Sequence, residues 1–95
     1  MPAYLVVDVR YDDLGWTEAY RRDVPPMIKA WGGRYLAKAV PPERLEGEGE
    51  RPDTLAILEF PSAESVRRFL ASAEYAPYAA ERRAGSRTVI YLLEG

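Results

Sequence analysis

The 95-residue chain contains no histidine and no cysteine. Without them it cannot build the usual zinc sites, histidine- or cysteine-ligated haem, iron–sulfur clusters, a cysteine nucleophile or a histidine-based triad. Oxygen-ligated magnesium or calcium is the metal chemistry left, and no carboxylate spacing points to either, so neither metal nor cofactor is expected. Long apolar runs are lacking too. None approaches the roughly 18 residues that span a bilayer, and no membrane partner is expected. Positive charge is not in excess: the net charge is −2, and the basic residues, almost all arginine, are scattered among acidic ones. Nucleic-acid binders instead concentrate positive charge to displace counterions, so no nucleic-acid partner is expected. The opening Met1-Pro2-Ala3-Tyr4-Leu5-Val6-Val7-Asp8 has no basic segment and no small-residue cleavage site. No signal peptide is therefore read, and a cytoplasmic location is the default.

What is present is the composition of a globular domain, 47% apolar and 29% charged. The length predicts one domain spanning residues 1–95, near the low end of what a single core can support. Its centre is Thr54-Leu55-Ala56-Ile57-Leu58-Glu59-Phe60. This strand-length stretch is apolar on both faces, closed by Pro61 and followed by Ser62, a helix-start residue. A strand of that kind needs cover on both sides and belongs near the middle of a sheet. Its one charge, Glu59, needs a reason.

Other elements follow from periodicity. Tyr4 to Arg10 alternates as a first strand, with Leu5, Val7 and Val9 on one face and Tyr4, Val6, Asp8 and Arg10 on the other. Asp12 to Gly15 is a turn, with Thr17 a candidate helix cap. Trp16, Tyr20, Val24, Met27, Ile28 and Trp31 form a helical stripe and are read as core. Pro25-Pro26 interrupts it, which predicts one kinked helix or two short ones; Gly32-Gly33 stops it. Arg34 to Val40 is a less apolar second strand, and Pro41 to Asp53 a long exposed acidic connection. After the central strand, Ser62 caps a helix with Val66, Phe69, Leu70 and Ala73 inward. Ser72 to Arg83 reads as further helical turns, with Pro77 in the first turn of a restart. Arg67-Arg68 and Arg82-Arg83 read as solvated faces, and Thr88 to Leu93 as the last strand.

The order strand, helix, strand, strand, helix, strand predicts an α+β, ferredoxin-like βαββαβ antiparallel sheet. Right-handed crossovers put the helices on one face. The other face would then expose large apolar side chains, and such patches usually mark an interface. A homodimer with two sheets face to face is the expected answer.

Several segments also carry a family resemblance. They are Pro2 to Asp8, Gly32-Gly33-Arg34-Tyr35-Leu36, Leu45-Glu46-Gly47, Leu58-Glu59-Phe60-Pro61-Ser62, Ser72-Ala73-Glu74-Tyr75 and the terminal Glu94-Gly95, in that order. Together they resemble the uncharacterised domain-of-unknown-function family 1330, within the dimeric α/β-barrel superfamily. The resemblance covers nearly the whole chain and implies a ferredoxin-like subunit and a dimer. It brings no reaction with it. Many members carry a histidine just before the paired glycines, where this chain has Trp31.

Strand alternation then places the candidate site. Asp8 shares a face with Tyr4 and Arg10, Glu59 with Leu55 and Ile57, and Tyr91 with Val89 and Leu93. If these are one face, an apolar surface carries Asp8, Glu59 and Tyr91, joined by Arg34 or Tyr35, in the manner of a small-molecule site. A desolvated carboxylate there, Asp8 or Glu59, would be the candidate acid or base. The plainer reading makes Asp8, Arg10 and Glu59 a polar network at the dimer seam or at strand ends. The functional expectation is a dimer that binds a small organic ligand, in a cavity between sheet and helices or partner. The alternative is a cofactor-independent enzyme, monooxygenase- or isomerase-like, using Asp8 and Glu59. An RNA-recognition module shares the element order but needs a basic–glycine–aromatic third strand, which Asp53 to Phe60 lacks.

Overall fold

The computed structural model describes residues 1–95. Its elements are β1 (Ala3–Tyr11), α1 (Thr17–Ala30), β2 (Arg34–Ala39), β3 (Thr54–Phe60), α2 (Ala63–Leu70), α3 (Ala76–Gly85) and β4 (Ser86–Glu94). The four strands form one antiparallel sheet in the order β2-β3-β1-β4. The ferredoxin-like α+β fold read from the order of elements is what the chain adopts. β3 and β1 are the two inner strands, as their apolar residues on both faces require.

Alternation on these strands sorts the side chains cleanly. Toward the helices point Ala3, Leu5 and Val9 of β1 and Thr54, Ala56, Leu58 and Phe60 of β3, all buried. Ala3, Leu5, Ala56, Leu58 and Phe60 pack with Val24 and Ile28 of α1, Val66 and Phe69 of α2, and Tyr75 and Ala79 around α3. The molecule measures 34 × 32 × 17 Å. A helix with its side chains is about 10 Å across, so 17 Å holds one sheet and one helix layer. The far side of the sheet is uncovered within the subunit.

Local chemistry explains the element ends. Pro25 and Pro26 lie inside α1 without dividing it. They withhold N–H groups from the carbonyls one turn back, at Arg21 and Arg22, which are both exposed and open to water. Thr17 is the first helical residue rather than the cap; Trp16 occupies the cap position without a side-chain hydrogen bond. Gly32 ends the helix region with φ of +84°, a conformation that L side chains rarely adopt. Ser62 caps α2, its Oγ accepting the Ser65 N–H at 3.1 Å.

The helical turns read through Ser72 to Arg83 are instead broken. Ser72 Oγ donates to the Phe69 carbonyl at 2.8 Å and accepts the Tyr75 N–H at 3.3 Å. This local bonding competes with the helix ladder and ends α2. Ala73, expected inward, is exposed in the resulting turn. Pro77 then sits in the first turn of α3, as expected. The connection from Val40 to Asp53 has no regular structure; Asp53 anchors its end, donating N–H to the Val9 carbonyl and accepting the Tyr11 N–H, both at 2.9 Å. No helix is long and apolar enough to cross a membrane.

Candidate functional site

Strand register puts Tyr4, Asp8, Arg10, Arg34, Glu59 and Tyr91 on the same face of the sheet, the one without helices. Tyr4 stands opposite Glu59, Asp8 opposite Leu55, Val6 opposite both Ile57 and Tyr91, and Arg34 opposite Glu59. An apolar row, Ala37, Ile57, Val6 and Tyr91, runs across all four strands. The charges on this face find partners. Arg34 donates from Nε to Glu59 Oε1 at 2.9 Å. Arg10 lies 3.9 Å from Asp8 and 3.5 Å from Glu50, which Arg87 also reaches at 3.2 Å. Asp8, flanked by Leu55 and Val89, and Glu59, tied to Arg34, therefore have a structural reason to be charged. Nothing in their geometry favours acid–base work over that one.

Tyr35 parts from this group. As the strand neighbour of Arg34 it points to the opposite face by alternation and pairs with Leu58 on the helix side, and a β-bulge follows between Tyr35 and Ala37. There lies a chamber of about 470 Å³ between the sheet and the helices, partly open to solvent. The cavity expected beside Asp8 and Glu59 has only one wall in the subunit; the walled one is on the opposite face. The reason is packing. Ala56, Val7 and Thr54 are small for the floor beneath α1 and α3, and the helices do not close on them.

Seventeen of the 23 residues lining the chamber are hydrophobic. The polar groups it offers, some of them on aromatic residues, are specific. Tyr20 of α1 and Tyr75, at the start of α3, bring their hydroxyl oxygens to 2.5 Å. Burial, and then the neighbouring Tyr75, push the Tyr20 phenol far above its ordinary range, so Tyr20 stays protonated and serves as a hydrogen-bond donor or acceptor, not as a base. Tyr35 is shifted upward too, by burial first and Tyr75 second. It is 41% exposed overall, so its ring lies at the chamber's rim while its hydroxyl end turns inward.

The one buried charged side chain is Arg82, which the Arg82-Arg83 pair makes look like a solvated surface residue. Arg83 is exposed, but Arg82 is only 6% exposed and lines the chamber. Its Nε is buried and meets no acceptor. No carboxylate lies within ion-pairing distance of it. An unpaired charge taken from water carries a desolvation cost of several kcal/mol, so such an arginine is unusual. A signal was present in the sequence: Tyr75, Ala79, Arg82 and Gly85 follow one another at steps of four, three and three, one helix face. Trp16, read as core, is core and wall together: it is buried, and its indole N–H donates to the Gly85 carbonyl at 3.2 Å. Tyr20 and Trp31 are half-buried against the core, and only Tyr20 reaches the chamber.

Comparison with solved structures shows the same fold in several proteins. A protein of unknown function from Rhodopseudomonas palustris superposes with a TM-score of 0.85 at 21% identity, covering 99% of this chain and 82% of that one. SnoaB, a cofactor-independent oxygenase from Streptomyces nogalater, gives 0.69 at 16% identity, over 99% and 92%. A dimeric ferredoxin-like protein of unknown function from Jannaschia gives 0.68 at 12% identity, over 100% of both chains. At these identities the likeness is one of fold. No curated protein matches in sequence. The sequence does match a family profile, over residues 2–95, and the chain belongs to the family described as Domain of unknown function (DUF1330).

Proposed function

We propose that this protein binds a small organic molecule in the chamber between its sheet and its helices, and that it does so as a homodimer closed over the open sheet face. The chamber carries the reading: at about 470 Å³ it falls within the usual range of ligand sites and combines an apolar lining with a few convergent polar groups. The dimer rests on the apolar rows of the other face, where Val89, Tyr91 and Leu93 are 46%, 62% and 55% exposed. The neighbour from Jannaschia, described as dimeric, supports it by analogy of fold. In this reading Asp8, Arg10, Arg34 and Glu59, with Tyr4 and Tyr91, belong to the seam between subunits. Acid–base catalysis by Asp8 and Glu59 takes second place, since neither lines the chamber.

Non-denaturing mass spectrometry of the purified protein, before and after unfolding, tests both parts. The expected result is a dimer carrying a reproducible added mass that unfolding releases. The variant Ala56→Phe, which fills the chamber floor, should remain dimeric and lose that mass. A monomer would overturn the dimer. An added mass that survives in Ala56→Phe would place the ligand elsewhere.

A further inference from the structure

We propose that the ligand is a singly charged organic anion, an apolar or aromatic body bearing one carboxylate, and that Arg82 is the residue that meets its charge. This deepens the reading just given and rests on it. Three independent features of the chamber lead there.

The first is the sign of its charges. The chain as a whole has 15 acidic and 13 basic residues, yet no Asp or Glu appears among the chamber's 23 lining residues. Arg82 lies inside, while Arg21 and Lys38, both exposed, stand at the mouth. Low-dielectric walls lined by one sign of charge raise the local concentration of the opposite sign.

The second feature is a count of hydrogen-bond donors. A guanidinium has donors and no acceptor, and Arg82 has no carboxylate partner. Tyr20 and Tyr75 share one hydrogen bond, in which one hydroxyl donates to the other. The hydroxyl that accepts keeps its own proton to offer to a third group. Arg82, Tyr20 and Tyr75 all line the same chamber, where the guanidinium and the free hydroxyl proton call for an acceptor. A carboxylate is acceptor-only, with two oxygens, and can take a charge-assisted bond from Arg82 and a neutral one from the tyrosine pair.

The third is the remainder of the lining. With Arg82 the one cation inside and most other walls apolar, the site suits one negative charge on a hydrophobic body.

The test uses two probes of nearly the same shape, 2-naphthoate and its neutral amide 2-naphthamide, with binding to wild type and Arg82→Met followed by calorimetry. Wild type should bind the carboxylate at least about tenfold more tightly than the amide, the range of one charge-assisted hydrogen bond. Arg82→Met should abolish that preference and keep amide binding within about threefold of wild type. It should also melt no lower than wild type in the absence of ligand, since it removes an unpaired buried charge. Should Arg82→Met fail to fold, Arg82→Lys reads the same contrast: it should keep the preference for the carboxylate but narrow it. Equal binding of both probes by wild type, or a preference that survives Arg82→Met, would overturn the anion and leave the chamber as a ligand site. Failure of wild type to bind either probe would overturn both.

Discussion

The two faces of the sheet are made from the same strands and treat charge in opposite ways. On the open face, Glu59 is held by Arg34, and Glu50 by Arg10 and Arg87. The Arg34–Glu59 pair keeps water nearby, with 26% of the Glu59 side chain and 69% of the Arg34 side chain exposed, and Arg10, though its Nε is buried without a hydrogen bond, still has Asp8 and Glu50 as ionic partners. On the helix face, Arg82 is far more deeply buried and has no carboxylate. A charge that is already paired explains itself as structure, whereas a buried unpaired one asks what it is waiting for. Neighbouring residues of β3 show how little separates the two environments: Leu58 is buried beneath the helices, while Ile57, one peptide away, looks out on the open face.

That pair provides the strongest way to break the comparison. Leu58→Ala removes a core side chain at 4% exposure, and a loss of about 2–5 kcal/mol is expected. For a domain of this size that is a large share of the roughly 5–15 kcal/mol total. Urea unfolding should show the loss at every protein concentration. Ile57→Ala should instead weaken association, so its midpoint should fall mainly when the protein is diluted. Equal, concentration-independent losses in both variants would mean that the open face is not an interface.

A smaller effect is expected from the open-face ion pair. A double-mutant cycle on Arg34→Ala and Glu59→Ala should give a coupling of about 0.2–1 kcal/mol if the pair stays wet. A coupling well above that range would mean that the partner subunit buries the pair, and dilution below the dimer's dissociation constant should then return it to the low value. A coupling of zero would remove the reason given for Glu59 being charged.

How much of this could be read in advance follows from what each feature depends on. Alternation in Tyr4 to Arg10 and the apolar run from Thr54 to Phe60 are local, and they place the strands to within a residue or two and assign each face correctly. The grouping of Tyr4, Asp8, Arg10, Glu59 and Tyr91 on one face follows directly. The chamber depends instead on how far α1 and α3 stand off the sheet, a sum of many contacts that no short segment encodes. The Tyr20–Tyr75 hydrogen bond joins residues 55 positions apart. Arg82 lay within reach, because the spacing from Tyr75 through Ala79 sets it inward. Its arginine neighbour, Arg83, makes the pair resemble ordinary surface charge.

The smallest effect concerns Asp23, a paired charge away from the sheet. Its carboxyl is held down at about 2, first by hydrogen bonds from Arg22, at 2.8 and 3.0 Å, and then by one from Tyr78, at 2.7 Å. A carboxyl lowered in the folded state contributes stability above its unfolded value, near about 4, and loses it as pH falls through the folded one. The contribution of Asp23 should therefore fade between about pH 4 and pH 2. Because the group is half-buried and its partner Arg22 is exposed, solvent screens the pair, and the change should be slight and should shrink further in high salt. Asp23→Asn should flatten the acid limb of the stability curve in that window while the rest of the curve keeps its shape. Parallel acid limbs for wild type and variant would show that Arg22 and Tyr78 do not hold this carboxylate in solution. A surface pair that weak, set beside an Arg82→Met variant that melts no lower than wild type, would separate charges that help to hold the fold from one that the fold does not need.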